Sequence, residues 1–99
     1  MKKITYELNG RRVYLKKEEY RQNGTLAVMI YTEDGEPYGN LTVNLSSPSQ
    51  SDETAFLDEN NLPGIGEWVE RNGIGTFLGI RGRSGFCSYP LYLFHKGKM

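Results

Sequence analysis

The 99-residue sequence predicts an α+β fold, a mainly antiparallel β-sheet of about six strands that is rich in hairpins and carries one short helix near residues 62–72. Three observations predict it. Two stretches with β-type alternation each turn at a dipeptide that ends in glycine, which is the strongest short-range hairpin signal. A later segment has apolar residues at helical spacing. The length allows one domain, so residues 1–99 are predicted to fold as a single unit.

The first predicted hairpin turns at Asn9-Gly10. A type I′ turn needs positive φ at both central residues, and Asn-Gly meets this need at low cost. The two-residue loop pairs Tyr6 with Val13. These two residues then share one apolar face with Ile4 and Leu15.

The second predicted hairpin joins the β-forming run Leu26–Tyr31 to the returning segment Tyr38–Leu45. Asp34-Gly35 supplies its turn. The register set by this turn brings apolar residues opposite each other: Val28 with Leu41, and Leu26 with Val43.

Two polar segments are predicted to be loops. Lys16–Gly24 has few apolar residues, and residues 46–53 read Ser-Ser-Pro-Ser-Gln-Ser-Asp-Glu, the one break in composition. The second loop is predicted to be flexible, because it has little apolar surface to bury. The short apolar run Thr54–Leu57 after it predicts a strand.

The predicted helix near residues 62–72 has start and stop signals. Asn60 or Asn61 can cap its beginning, Pro63 suits its first turn, and Gly73 suits the position after its end. Three apolar residues at helical spacing are expected to face the sheet: Ile65, Trp68 and Val69.

The last two predicted strands are Thr76–Ile80 and Phe86–His95, with the polar segment Arg81–Gly85 as the turn between them. Pro90 cannot donate a hydrogen bond to a neighbouring strand. The last strand is therefore expected to begin at Pro90 or to lie at an edge of the sheet.

The charge balance and the cysteine count exclude several classes of protein. Twelve basic and twelve acidic residues give a net charge of zero, which disfavours a general DNA coat or a polybasic membrane binder. Cys87 is the only cysteine, which excludes an intramolecular disulfide and a multi-cysteine zinc site. The start, Met1–Glu7, lacks the apolar run of a signal peptide, and no segment approaches the ~20 apolar residues of a membrane span. We expect a cytoplasmic chain with no membrane partner.

Catalytic and metal chemistry find little support. Cys87 and His95 are the only residues of their kinds, and one extended strand would separate them by about 26 Å, too far for a thiol–imidazole pair. The carboxylates of residues 52–59 do not match the ligand spacing of a calcium loop. No enzyme activity, metal or cofactor is predicted, and an enzyme that uses Cys87 is the most distant alternative.

Arg81, Arg83 and Ser84 are the candidate anion-binding residues, because two guanidinium groups, a hydroxyl and glycine-rich backbone can converge on an anion. Tyr89 and Tyr92 follow them. Aromatic side chains beside a basic patch are typical of proteins that hold single-stranded nucleic acid. A solvated turn whose aromatic neighbours belong to the core explains the same residues more simply and is the preferred interpretation, because aromatic residues are common in small β cores.

Four motifs resemble a family of small bacterial proteins of unknown function that is associated with mobile elements such as conjugative transposons and phages. They are Asn44-Leu45-Ser46, Phe56-Leu57-Asp58-Glu59-Asn60-Asn61-Leu62-Pro63, Trp68, and Ser84-Gly85-Phe86-Cys87-Ser88-Tyr89-Pro90-Leu91-Tyr92. The resemblance spans about Asn40 to Phe94. It implies a setting rather than an activity, because small mobile-element proteins often act by binding host or element-encoded partners, including host defence systems.

The predicted function is non-enzymatic protein binding, with antagonism of a host defence system as one form of it. The predicted contact residues are Asp58, Glu59, Asn60 and Tyr92. If the last strand has an exposed edge, a partner strand or a second copy of the chain can pair with it, which would give a homodimer. The alternative is a nucleotide or single-stranded nucleic acid bound at the turn from Arg81 to Ser84.

Overall fold

The computed structural model describes residues 3–99, so Met1 and Lys2, at the start of the predicted 1–99 domain, lie outside the described residues. The chain order is β1 (Thr5–Leu8), β2 (Arg11–Glu19), β3 (Leu26–Thr32), β4 (Pro37–Asn40), β5 (Thr42–Val43), β6 (Thr54–Leu57), α1 (Ile65–Arg71), β7 (Gly75–Ser84) and β8 (Cys87–Phe94). One antiparallel sheet has the order β1-β2-β3-β4 and the other β5-β6-β8-β7. The mainly antiparallel fold with one short helix is confirmed, but the described residues form eight strands rather than about six.

The first hairpin is confirmed in its turn and its register. Asn9 and Gly10 both have positive φ, and Tyr6 pairs with Val13. The prediction of a loop over Lys16–Gly24 is wrong in its first half, because β2 continues to Glu19 in register with β3. The side chains of this extension are exposed. The hydrogen bonds to β3, rather than apolar burial, keep it extended.

The second hairpin has the predicted register near the end of β4, but not next to the turn and not beyond β4. Met29 pairs with Asn40, as predicted, although a bulge near Tyr31 shifts the register next to the turn. The predicted contact of Leu26 with Val43 is wrong. The Leu26 N–H donates instead to the Ser51 carbonyl at 2.8 Å, because the chain has left this sheet before Val43.

Leu41 is where the chain passes from one sheet to the other. Leu41 lies between β4 and β5 in the chain, and its side chain is fully buried. The Leu41 N–H donates to the Val28 carbonyl of the first sheet at 2.9 Å, and the Leu41 carbonyl accepts the Asp58 N–H beside the second sheet at 2.9 Å. The Thr42 hydroxyl accepts the Val28 N–H at 3.1 Å. Two adjacent residues thus join the sheets through main-chain and side-chain hydrogen bonds.

The helix is shorter than predicted. It begins at Ile65 after Gly64, whose φ of 80° marks the N-cap, and no side chain caps it. Asn60 and Asn61 therefore do not act as the predicted caps. The preceding turn is held instead by Asp58, whose carbonyl accepts the Leu62 N–H at 2.9 Å. Gly73 follows the helix with positive φ, as predicted.

The buried face of α1 is the predicted one, with Ile65, Trp68 and Val69 inside the core. The Trp68 indole N–H donates to the Glu7 carbonyl at 2.7 Å. The Trp68 and Tyr6 rings pack edge to face, with their centroids 5.9 Å apart. The helix thus packs against the first hairpin while the second sheet lies against the same core.

The C-terminal hairpin differs from the prediction in two places. β7 continues to Ser84, so the segment Arg81–Gly85 is mostly strand and the turn is Gly85-Phe86. The last strand does not begin at Pro90 or lie at an edge, because β8 is an inner strand between β6 and β7. Pro90 is tolerated there because β6 pairing ends at Leu91, one residue away, and a bulge in β7 lies beside it.

The second sheet curls so that its two edges meet over Phe56. Strand pairing puts Val43, Phe56 and Leu91 on the face opposite the shared core. A Cβ built on Gly82 of the edge strand β7 would lie 2.7 Å from both Leu45 Cδ1 and Phe56 Cε1. Leu45 follows β5, the strand at the other edge. The Leu45 side chain therefore covers the face of the second sheet that carries Phe56 and helps to bury Phe56.

Gly82→Ala is expected to destabilise the fold by roughly 1–3 kcal/mol, because the added methyl group has no room beside Leu45 and Phe56. Gly39→Ala in β4 is the matched control, since a Cβ there meets nothing within 4 Å and Gly39 has no positive φ. The control is expected to be neutral or to stabilise by up to ~1 kcal/mol. Chemical denaturation measures both variants, and equal free energies of unfolding would contradict the close packing at Gly82.

Candidate functional site

Exposed apolar side chains are concentrated at one edge of the molecule. In the described part of the chain, five large hydrophobic residues are exposed, and four of them lie on β7 or in the turn after it. Three of the four are 38–52% exposed and Phe86 is fully exposed. We call these four residues the β7 patch: Phe77, Leu78, Ile80 and Phe86.

A bulge in β7 produces the centre of this patch. On β8, one residue separates Tyr92 from Pro90. Their partners on β7, Phe77 and Arg81, have three residues between them, so the ladder is interrupted. Gly79 in the middle has a φ of 81°, a conformation that glycine adopts without a Cβ clash. The residues on either side of Gly79 are the two central members of the patch.

β7 is an edge strand whose backbone is obstructed. Edge strands offer unpaired N–H and C=O groups to another strand. Here the Phe77 N–H donates to Glu70 Oε1 at 3.3 Å, and the bulge breaks the regular spacing of the groups that follow. This edge therefore exposes side chains rather than a continuous backbone ladder.

Beyond the bulge, β7 and β8 form a two-stranded arm of residues 81–90. β6 pairs with β8 only as far as Leu91, so the arm extends past its neighbour in the sheet. The turn at its tip is Gly85-Phe86. The Phe86 ring at this tip is fully exposed, which leaves a large apolar surface free for contact with another molecule.

The predicted anion-binding residues do not converge. Arg81 Nε donates to the Ser88 hydroxyl at 2.8 Å, and Arg81 Nη2 lies 3.4 Å from Glu59 Oε1. This guanidinium is therefore already engaged by a carboxylate of the same chain. Arg83 is exposed and has no carboxylate partner among residues 3–99, and Ser84 lies next to the tip.

Tyr89 lies on the opposite face of the arm from the two arginines. It pairs with Gly82, whereas Arg81 and Arg83 occupy the alternate positions of β7. A hydrogen bond to the Cys87 side chain, followed by desolvation, raises the pKa of Tyr89. A base held between Tyr89 and the arginines on one surface is thus not supported by this arrangement.

The predicted partner-binding residues are divided between surface and interior. Asp58 is buried, and its two carboxylate oxygens accept the Asn61 N–H at 3.2 Å and the Asn61 side-chain N–H at 2.9 Å. Tyr92 is also buried and packs against Phe77 with ring centroids 5.6 Å apart. Asn60 is exposed and Glu59 is partly exposed. Asp58 and Tyr92 therefore support the surface from within rather than form it.

Glu59, Tyr92 and Arg81 form one cluster, although the sequence assigned them to competing sites. A Cβ built on Gly66 of α1 would lie 2.6 Å from both Glu59 Oε2 and the Tyr92 hydroxyl oxygen. Burial raises the pKa of Tyr92, and the carboxylates of Glu70, Glu59 and Glu67 add to this rise while Arg81 opposes it. Negative charge is thus gathered at the helix end of the β7 patch.

Cys87 and His95 lie at opposite ends of β8. Both ring nitrogens of His95 are hydrogen-bonded: Nδ1 lies 2.9 Å from the Gly73 carbonyl oxygen, and Nε2 lies 2.7 Å from the Thr76 hydroxyl. The imidazole therefore links the turn after α1 to β7. Across the described residues, no three His, Cys, Asp or Glu side chains are grouped as metal ligands.

A concave region lies between the first hairpin turn and α1, with a volume of about 520 Å³. Its lining includes Leu8, Tyr38, Trp68 and Arg71. The Trp68 N–H is already bonded to the Glu7 carbonyl, so the polar atom of its largest aromatic group is not free to bind a ligand.

Comparison with family models matches residues 14–99 to the domain of unknown function DUF4313. The chain belongs to this family. The DUF4313 match begins within β2 and includes all of β7, the arm and α1. No curated protein and no solved structure matches the chain. None of the described helices has the length and apolar character needed to cross a membrane.

The sequence prediction missed the β7 patch, but the residues contain a signal for it. In a regular strand Phe77 would face one side of the sheet, and Leu78 and Ile80 the other, so apolar residues occur on both sides. Gly79 interrupts this run. A glycine inside such a run is typical of a bulge, which changes the side that each following residue faces. The prediction of a strand over Thr76–Ile80 contains no bulge, and a regular strand does not explain why Leu78 and Ile80 are both exposed.

Tyr92→Phe is expected to weaken the loss of stability at alkaline pH. Because the folded state raises the pKa of Tyr92 above the ordinary tyrosine value of 10.0, this tyrosine contributes stability below pH 10 that is lost as the pH rises through the folded pKa. Burial also raises the pKa values of Tyr6 and Tyr20. The free energy of unfolding of the variant is therefore still expected to fall with pH, but less steeply than that of the wild type. Urea denaturation across this pH range gives the slopes, and identical slopes for both proteins would contradict the role of Tyr92.

Proposed function

We propose that this chain is a non-enzymatic protein-binding domain that contacts its partner through the β7 patch. The observation that carries the proposal is the clustering of exposed apolar side chains on β7 and at the tip of the arm. A concentration of large exposed apolar side chains on one strand and its turn is typical of an interaction site. Isolated exposed residues, such as Ile4 at the other end of the chain, need no such explanation.

The contact is proposed to use side chains rather than strand addition. The Phe77 N–H is occupied by Glu70, and the bulge displaces the next residues from a regular ladder. A partner that packs against Ile80 and Phe86 gains apolar burial without needing a continuous strand edge. Glu59 and Asn60, which the sequence predicted as contacts, are proposed to lie at the polar rim.

The biological setting is proposed from the family resemblance. The motif Ser84–Tyr92 that resembles proteins of mobile elements coincides with most of the arm and contains Phe86 of the β7 patch. We propose that the chain serves a bacterial mobile element or phage in the cytoplasm, and that its binding antagonises a host defence system. A protein that blocks another protein by occupying its surface needs a rigid contact patch and no catalytic group.

Arg83 favours a second candidate function, the binding of a nucleotide or single-stranded nucleic acid. It is the arginine of the predicted turn that has no carboxylate partner in the described chain. A single exposed guanidinium supplies little affinity for a phosphate without further groups. An enzyme that uses Cys87 stays the most distant alternative, and loss of an activity on thiol alkylation is the result that would support it.

Ile80→Ser and Phe86→Ser are each expected to abolish retention of the protein partner, because they remove the most exposed apolar side chains of the patch. Losing a buried hot-spot contact typically costs more than ~2 kcal/mol of binding free energy. The measurement is affinity capture from nuclease-treated bacterial lysate with mass spectrometry of the retained proteins.

Ile4→Ser is the matched control for Ile80→Ser, since among the described residues Ile4 is an exposed large hydrophobic residue outside the patch, 42% exposed against 52% for Ile80. It is expected to retain the same partner as the wild type. Equal retention by all variants would refute the β7 patch as the contact. Retention of nuclease-sensitive nucleic acid that Arg83→Ala abolishes would favour the second candidate instead.

A further inference from the structure

The charges around the β7 patch differ at its two ends. Before the bulge, Glu70 lies against the strand with Oε1 3.3 Å from the Phe77 nitrogen, and Glu67 is exposed on the same helix. After the bulge, Arg83 is exposed with no carboxylate partner in the described residues. The apolar centre, which contains Ile80, therefore lies between a negative end and a positive end.

We infer that a second copy of this chain binds the β7 patch about a two-fold axis beside Ile80. This inference rests on the proposed function, because it assigns the partner of the same surface. Phe77 and Arg83 lie three residues to either side of Ile80. A two-fold axis reverses the strand direction, so Arg83 of one copy meets Glu70 of the other, and the same contact forms twice.

The obstructed backbone of β7 agrees with a closed dimer. An unprotected edge strand would permit pairing with any extended chain. The Glu70 side chain and the bulge limit such pairing, whereas the exposed side chains remain free to pack against their own copies. An isologous interface of this kind closes after two subunits and leaves no further site for growth.

The zero net charge of the chain also favours self-association. Two copies of a strongly charged protein repel each other, and a uniformly basic or acidic patch would be repelled by itself. Here the twelve basic and twelve acidic residues balance, and the charges at the patch are complementary only when the copies are antiparallel. Charge complementarity of this type sets the orientation of a complex.

The test is a charge exchange across the predicted contact. Glu70→Arg places arginine against Arg83 of the partner copy, and Arg83→Glu places glutamate against its Glu70. Each variant is expected to raise the dimer dissociation constant by more than about tenfold. An equal mixture of the two variants restores both attractive contacts and is expected to form a heterodimer. Sedimentation equilibrium measures the mass, which is 11.3 kDa for one chain.

Arg21→Glu is the control, because Arg21 is exposed in the loop before β3, away from the patch in sequence, and its reversal should leave the dimer intact. Glu67→Arg is a second variant of the negative end that keeps the Glu70–Phe77 hydrogen bond. Thermal melting of every variant establishes that it is folded. A mixture that dimerises when neither variant does alone supports the two-fold contact.

Wild-type protein that remains at 11.3 kDa at all concentrations would overturn the second-copy inference. So would a dimer that both charge reversals leave unchanged, since the contact would then lie elsewhere. A monomeric wild type that still captures a cellular protein through Ile80 and Phe86 would overturn the inference while supporting the proposed function. A charge-exchanged heterodimer with no captured cellular protein would support the inference and contradict the proposed antagonism of a host protein through this patch.

Discussion

The two backbone hydrogen bonds of Leu41 determine how the rest of the chain is arranged. The Leu41 N–H is bonded within the first sheet, and its carbonyl is bonded to Asp58 beside the second. A buried main-chain group without a partner costs about 1–3 kcal/mol, so this residue is held in both places at once. The chain must leave the first sheet here, which makes β5 the beginning of a second sheet. β6 and β8 then fill the inner positions of that sheet, and β7 is left at its edge with the exposed bulge.

Local signals predicted the local structure well, and long-range pairing limited what the sequence could indicate. The Asn9-Gly10 turn and the apolar spacing of α1 are each specified by a few neighbouring residues, and both predictions are confirmed. The passage from one sheet to the other at Leu41 depends on hydrogen-bond partners far away in the chain. The periodicity of the residues around Leu41 does not predict it. Pro90 predicted that the last strand begins there or lies at an edge, because proline cannot donate a ladder hydrogen bond. The end of β6 and the bulge in β7 provide an exception that only the assembled sheet contains.

The candidate site was predicted in its parts but not in its arrangement. Glu59 and Arg81 were assigned to different functions, yet they lie 3.4 Å apart and tie the arm to the turn before α1. Tyr92 was predicted as a contact and instead supports Phe77 from beneath. Gly66 lets the helix approach, because a side chain there would collide with Glu59 and Tyr92. The patch is therefore carried by an ordered layer of packed groups, which limits the entropy lost when a partner binds.

The most direct test of this account is the nuclear magnetic resonance spectrum of the ¹⁵N-labelled chain recorded over a dilution series. If the β7 patch packs against a second copy, backbone amide shifts will change with concentration at residues 77–86 and near Glu70, while the first sheet stays unchanged. Shifts that move only around residues 58–60 or on the first sheet would contradict this account. A spectrum that does not change with concentration would contradict the second copy as the partner of β7.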